Sequence, residues 1–173
     1  MTDRANSYEM FIGYRKRLRN HERKDLSALG MIALSAGIAG ALDIAATAGI
    51  MKVQGVSIVR LLQFIASGIF GSSAFNGGKR IAGIGLFLHF LIALVVAAIY
   101  YAASGSSSFA LARPVLFGVL YGIGVHLVMS RIVVPLSRAP RREFSLKAFL
   151  TQLVIHVFCV GLPISVVQNY FSR

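Results

Sequence analysis

The chain opens polar and then turns apolar for most of its length. Residues 1–27 form a basic arm that carries Arg15, Lys16, Arg17, Arg19, Arg23 and Lys24. Four apolar runs follow, at 28–51, 81–103, 114–136 and 148–170. Each is long enough to cross a bilayer as a helix, which takes about 20 apolar residues at about 1.5 Å rise each. Pro114 suits the first turn of the third run, where its missing N–H costs nothing. Ser145 is the expected N-cap of the fourth. Pro163 lies inside that fourth helix and predicts a kink near Cys159.

The segment 56–71 reads differently. Its polar and small positions, Ser57, Arg60, Gln63, Ser67 and Gly71, recur every three or four residues and share one helical face. Apolar residues cover the rest. That pattern suits a helix lying in the interface or re-entering the membrane. It also suits a short crossing whose polar face looks into a bundle. Length, Arg60 and the turn residues Gly71, Ser72, Ser73 and Asn76-Gly77-Gly78 favour the first reading.

The expected fold is therefore all-α: a polytopic membrane bundle of four transmembrane helices plus one amphipathic interfacial or re-entrant helix at 56–71. Five transmembrane helices is the alternative. The domain plan is a cytoplasmic basic arm at 1–27 and one helical domain at 28–173. The loop at 104–110 is Ser- and Gly-rich and reads as flexible.

Composition sharpens the class. Of 173 residues, 56% are hydrophobic and 14% charged, where soluble domains carry about 25% charged residues. The formal charge is +12, from 18 basic and 6 acidic residues. Beside apolar runs, a basic arm reads as a cytoplasmic topology signal that touches anionic lipid, not as a nucleic-acid site. The expected location is the bacterial inner membrane, multi-pass, with the N-terminus inside. Charge counting pulls against the preferred topology. Five crossings put 14 of the 18 basic residues on the cytoplasmic side, whereas four crossings divide them 9 and 9. The single cysteine, Cys159, can form no internal disulfide. With no Trp, the aromatic belt falls to residues such as Tyr100, Tyr101, Tyr170 and Phe171.

Small residues recur at four-residue steps in three runs. They are Ala33, Gly37, Ala41, Ala45 and Gly49 in the first, Gly85, His89, Ala93 and Ala97 in the second, and Gly118, Gly122, His126 and Ser130 in the third. Such stripes let helix backbones approach closely in lipid. The last two each carry a histidine, which should face the bundle interior.

Each of the four strong spans holds one titratable residue near its middle: Asp43, His89, His126 and His156. Ionisable groups inside spans are costly and are site candidates by default. If 56–71 does not cross, Asp43, His89 and His156 share one depth and His126 lies within about 6 Å of it. If it does cross, Asp43 moves about 10 Å away in depth. Thr47 and Gln152, one turn from Asp43 and His156, add polarity, and Arg60 or Gln63 could support the site if 56–71 folds over the bundle.

Several readings stand side by side. A proton or small-cation site or relay needs titratable groups converging in a bundle. A divalent metal site could use three His and one Asp, although no local ligand spacing supports it. Haem ligation would need His89 and His156 facing one another. In the structural reading each group only donates an interhelical hydrogen bond, worth about 0.6 kcal/mol. No cofactor is predicted. No phosphate loop, Walker motif or GxSxG is present, so nothing argues for an enzyme. A non-catalytic subunit or anchor, binding a second copy or another membrane protein, is the other functional class.

Several stretches together resemble a group of small bacterial inner-membrane proteins. They are Leu42-Asp43-Ile44, RLLQFIASG at 60–68, LHFLIA at 88–93, RPVLFGVLYG at 113–122, VVPLS at 133–137 and HVFCVGLPI at 156–164. The resemblance implies a compact helical membrane protein and brings no activity with it. Within that pattern His126 is less typical than Asp43, His89 and His156.

Overall fold

The computed structural model describes residues 2–104, 112–141 and 143–172, with side chains for 28–104, 112–141 and 143–171. The lipid contacts expected of the arm therefore fall on side chains outside the described residues, as does most of the Ser/Gly loop at 104–110. Every regular element among the described residues is helical, so the all-α fold holds. The chain divides into two units, Met1–Met31 and Ile32–Arg173. The first is helical from Thr2. The second contains the bundle.

Helix α1 spans Thr2–Val53. After a turn at Gln54 and Gly55, α2 spans Ile58–Phe70 and passes into a 3-10 segment, Gly71–Asn76. Helix α3 spans Gly78–Ser104. Helix α4 starts at Pro114 and runs to Val128, through a π turn at Met129–Val133, to a last turn at Val134–Leu136. Helix α5 runs Leu146–Ile155, through a π turn at His156–Gly161, to Leu162–Ser172. Pro114 occupies the first turn of α4, and Ser145 caps α5 by accepting from the Ala148 N–H at 3.4 Å.

Both π turns lie just before a proline. Pro135 and Pro163 cannot donate to the carbonyl four residues back. The helices widen there instead. The Val134 and Leu162 N–H groups donate to carbonyls five residues back, at Met129 and Val157. The kink expected near Cys159 thus takes the form of a π turn that begins at His156.

Five helices are long and apolar enough to cross a membrane: Ala28–Val53, Ile58–Asn76, Gly78–Ser104, Pro114–Leu136 and Leu146–Phe171. Large apolar side chains point outward on all of them, among them Leu34, Ile69, Leu91, Leu120 and Val154. A water-soluble bundle would bury that surface; here it forms the exterior.

Side-chain contacts fix the helix directions. Ser35 and the Ala97 carbonyl share the Gln168 amide, Gly40 packs on Phe90 and Ala93, and Asp43 meets His89. As α1 advances, its partners on α3 recede, so α1 and α3 are antiparallel. Helix α5 runs back along α4 in the same way. Ser165 donates to the Pro114 carbonyl, Gly118 meets Gly161 and Leu162, and Gly122 meets His156 and Val157. Tyr121 donates to the Val96 carbonyl at 2.6 Å, which joins α3 to α4. One end of the bundle therefore holds Ile32, Ser104, Pro114 and the end of α5; it is called the near end. The far end holds Val53, Gly78, Leu136 and Leu146.

Helix α2 starts and finishes at the far end. Gly71, at φ +63°, ends it after 13 residues, about 20 Å of helix. Gln63 donates to the Gly78 carbonyl at 3.2 Å, and the Arg138 N–H donates to the Gly68 carbonyl at 2.9 Å. These bonds tie α2 to the start of α3 and to the connection after α4. Its polar face is split. Gln63 and Ser67 are buried, while Arg60 is exposed.

The small-residue stripes on α3 and α4 do face inward, as Gly85, Ala97, Gly118, Gly122 and His126 are buried. A Cβ at Gly85 would overlap the Leu62 carbonyl, and one at Gly161 would overlap the Gly118 carbonyl. The α1 stripe faces outward instead, with nothing within 4 Å of a Cβ at Gly37 or Gly49. The buried face of α1 carries Ser35, Ala36, Ala39, Gly40 and Thr47.

The apolar core sits towards the near end. Ala36, Ala39, Ala97, Tyr100, Val160 and Ile164 form one buried cluster. Hydrogen bonds reinforce it. The Tyr100 hydroxyl lies 2.7 Å from the Ser165 hydroxyl, and the Gln168 amide donates to the Ser35 hydroxyl and the Ala97 carbonyl.

Candidate functional site

Above that core, towards the far end, lies a cavity of about 430 Å³. Its walls come from all five helices. On α1 they run from Ala39 to Met51, on α3 from Val96 back to His89, on α4 from Val125 to Val134, and on α5 from Val160 back to Ala148, with Ser137 and Ala139 from the connection after α4. The stretch from Ala39 to Met51 measures about 18 Å along the axis of α1. Helix α2 adds Leu61, Phe64, Ile65 and Gly68. The lining is mostly apolar, and it includes Asp43, His89, His126 and His156 together. Four residues from four separate helices thus meet one space.

Asp43 and His89 form one pair. His89 Nε2 is 2.8 Å from the Gly40 carbonyl oxygen. A carbonyl only accepts, so Nε2 carries the hydrogen and Nδ1 is the acceptor of the neutral ring. Asp43 Oδ2 lies 3.9 Å from the same Nε2, too far for a hydrogen bond. Asp43 Oδ1 is buried and has no hydrogen-bond partner among the described residues.

His126 and His156 form the other pair, with ring centroids 5.2 Å apart. His126 is 3% exposed, and its Nε2 is likewise without a partner among the described residues. The edge of Phe149 packs on its ring at 4.6 Å, and the Arg131 guanidinium lies over Phe149 at 5.4 Å. His156 Nδ1 is 2.8 Å from the Gln152 carbonyl, so its Nε2 is the acceptor in the neutral ring. That bond fixes the ring at the start of the π turn.

The supporting residues divide. Thr47 and Gln152 line the cavity. Arg60 does not pair with Asp43; its guanidinium stacks on Phe75 at 4.0 Å. Gln63 is used up in its bond to Gly78, where it pins α2 to α3. Both belong to the seating of α2, since polar groups at its first turns reach the α3 end sooner than the cavity.

Among the described residues, no three His, Cys, Asp or Glu side chains are grouped to hold a metal ion. The four-ligand reading fails on that geometry, because the groups line the cavity as two pairs. The haem arrangement also lacks its pairing. The ring beside His156 is that of His126, and His89 turns its Nε2 to a backbone carbonyl.

The polar tie of Ser35, Tyr100, Ser165 and Gln168 at the near end was not singled out from sequence. Its signal was weak: an amide and a hydroxyl three residues apart near a chain end, with Ser35 far away in sequence. No protein-family model, curated protein or solved structure matches the chain.

Proposed function

We propose that this protein is a four-crossing protein of the bacterial cytoplasmic membrane, with both ends inside, that binds and relays protons through its intramembrane Asp/His pairs. The observation that carries the reading is the convergence of Asp43, His89, His126 and His156 on one cavity, with Asp43 Oδ1 and His126 Nε2 buried and without a hydrogen-bond partner among the described residues. Asp43 Oδ1 leaves an acceptor site open towards the His89 ring. His89 holds its ring on Gly40 through Nε2 and keeps Nδ1 to receive a proton. The resulting imidazolium would sit 3.9 Å from Asp43 Oδ2, where the two charges stabilise each other. His156 offers Nε2 in the same way beside His126. An imidazole that receives on one nitrogen and donates from the other passes a proton on. Chains of Asp and His in bundle interiors are the usual form of such relays.

The test is proton flux in proteoliposomes under an imposed pH difference. The parent chain should conduct above protein-free vesicles. Asp43→Asn should bring flux down to that background, while the folded protein elutes unchanged in detergent. A parent with no flux, or an Asp43→Asn variant that conducts like the parent, overturns the proposal.

A further inference from the structure

The cavity is larger than proton transfer alone needs. A water molecule takes about 30 Å³ of liquid, against about 430 Å³ here. That volume falls in the range of sites for small organic ligands, about 300–1,000 Å³. Most of the lining is aliphatic: Ile44, Met51, Leu61, Ile65, Ile92 and Val133 surround the polar pairs. Apolar cavities hold apolar groups more readily than water.

The polar atoms on this wall are selective. Among the described residues no Lys, Arg or Glu lines the cavity, and Asp43 is the formally charged group of that lining. The basic residues of the far end, such as Lys52, Arg60 and Arg138, are exposed and stay outside the lining. Asp43 Oδ1 is an acceptor without a partner among the described residues. His126 Nε2, also unpartnered, is an acceptor when the ring hydrogen is on Nδ1. A head group that suits such a wall brings several donors, a positive charge and no acceptor. A primary ammonium has that inventory.

We propose that the cavity binds a lipophilic primary ammonium, with its cation on Asp43 and its hydrocarbon body against the aliphatic lining. The proposal rests on the reading that Asp43 takes up a positive charge inside the bundle. Ammonium and proton then compete for one carboxylate. Binding of the cation releases the proton from Asp43, and charge balances without any further reactant.

The test uses the full chain in nanodiscs with three probes that share one ring system: 1-naphthylmethylammonium, neutral 1-naphthylmethanol and anionic 1-naphthylacetate. Calorimetry reads binding, and the infrared carboxylic-acid band, assigned by its loss in Asp43→Asn, reads the proton on Asp43. The ammonium should bind most tightly, weaken as pH falls, and remove the Asp43 band as it saturates. Asp43→Asn should weaken the ammonium by about tenfold to a hundredfold, the size of one charge-assisted hydrogen bond. It should leave 1-naphthylmethanol unchanged, which also shows the cavity to be intact. The pH series on the parent chain needs no variant. An Asp43 band that appears with acid but is not displaced by the ammonium overturns this inference and leaves the proton reading standing. No band and no ammonium binding overturn both. Equal binding of all three probes, or tightest binding of the acetate, overturns the inference as well.

Discussion

Gln168 shows how one residue holds the bundle shut. Its amide bridges the Ser35 hydroxyl at 3.0 Å and the Ala97 carbonyl at 2.9 Å, so α1, α3 and α5 meet at one side chain. Interhelical hydrogen bonds in membranes average about 0.6 kcal/mol. Gln168→Leu should therefore lower unfolding stability by only about 1 kcal/mol, measured in a detergent–denaturant titration. A loss several times larger would mean that the near-end network acts as a unit. The candidate site was largely legible at this scale. Asp43, His89, His126 and His156 stood out because titratable groups inside apolar runs are rare, and helical rise alone put them at similar depth. What the sequence could not show was pairing. Which imidazole neighbours which depends on helix rotation and order. Arg60 was one candidate to support the site if 56–71 folded over the bundle, and it stacks on Phe75 instead, because a long side chain has many partners within reach and sequence does not rank them.

Among the elements, glycine context decides what a stripe of small residues means. Gly161 faces the Gly118 carbonyl and the Gly122 backbone, whereas Gly37 faces open space. Gly161→Ala should cost at least about 1–3 kcal/mol through overpacking. Gly37→Ala should be neutral or gain up to about 1 kcal/mol from helix propensity. Thermal midpoints in one detergent compare the two, and equal shifts would contradict the α4–α5 packing. The stripes on α3 and α4 were readable because each carried a histidine, a reason to face inward. The α1 stripe has the same spacing and faces out, since Ser35, Gly40, Asp43 and Thr47 hold the inner side. Periodicity finds a face but does not say what it faces. Helix α2 was legible in extent and in its stop at Gly71, and ambiguous in placement, because 13 helical residues plus a 3-10 segment have both the length of a marginal crossing and the pattern of an interfacial helix.

For the whole molecule, the antiparallel run of α1 against α3 carries the topology. Two consecutive long helices running in opposite directions leave the start and finish of α2 at one end of the bundle, which is the arrangement that the proposed four crossings need. A reporter fused after Arg173 should read cytoplasmic when one on the N-terminal arm does. Opposite readings would require an odd number of crossings and contradict the α1–α3 contacts. Charge counting pointed the other way, because five crossings would put 14 of the 18 basic residues on one side while four divide them 9 and 9. The bundle is also unequal along its length. The cavity runs towards the far end, while Tyr100, Ser165, Gln168 and the buried Ala36, Ala39 and Ile164 fill the near end. For a carrier of charge, such a vessel with a floor is one-facing: what enters from the far side cannot leave by the near side until the floor parts. On the proposed function, a proton bound for the near side would have to pass the near-end hydrogen bonds.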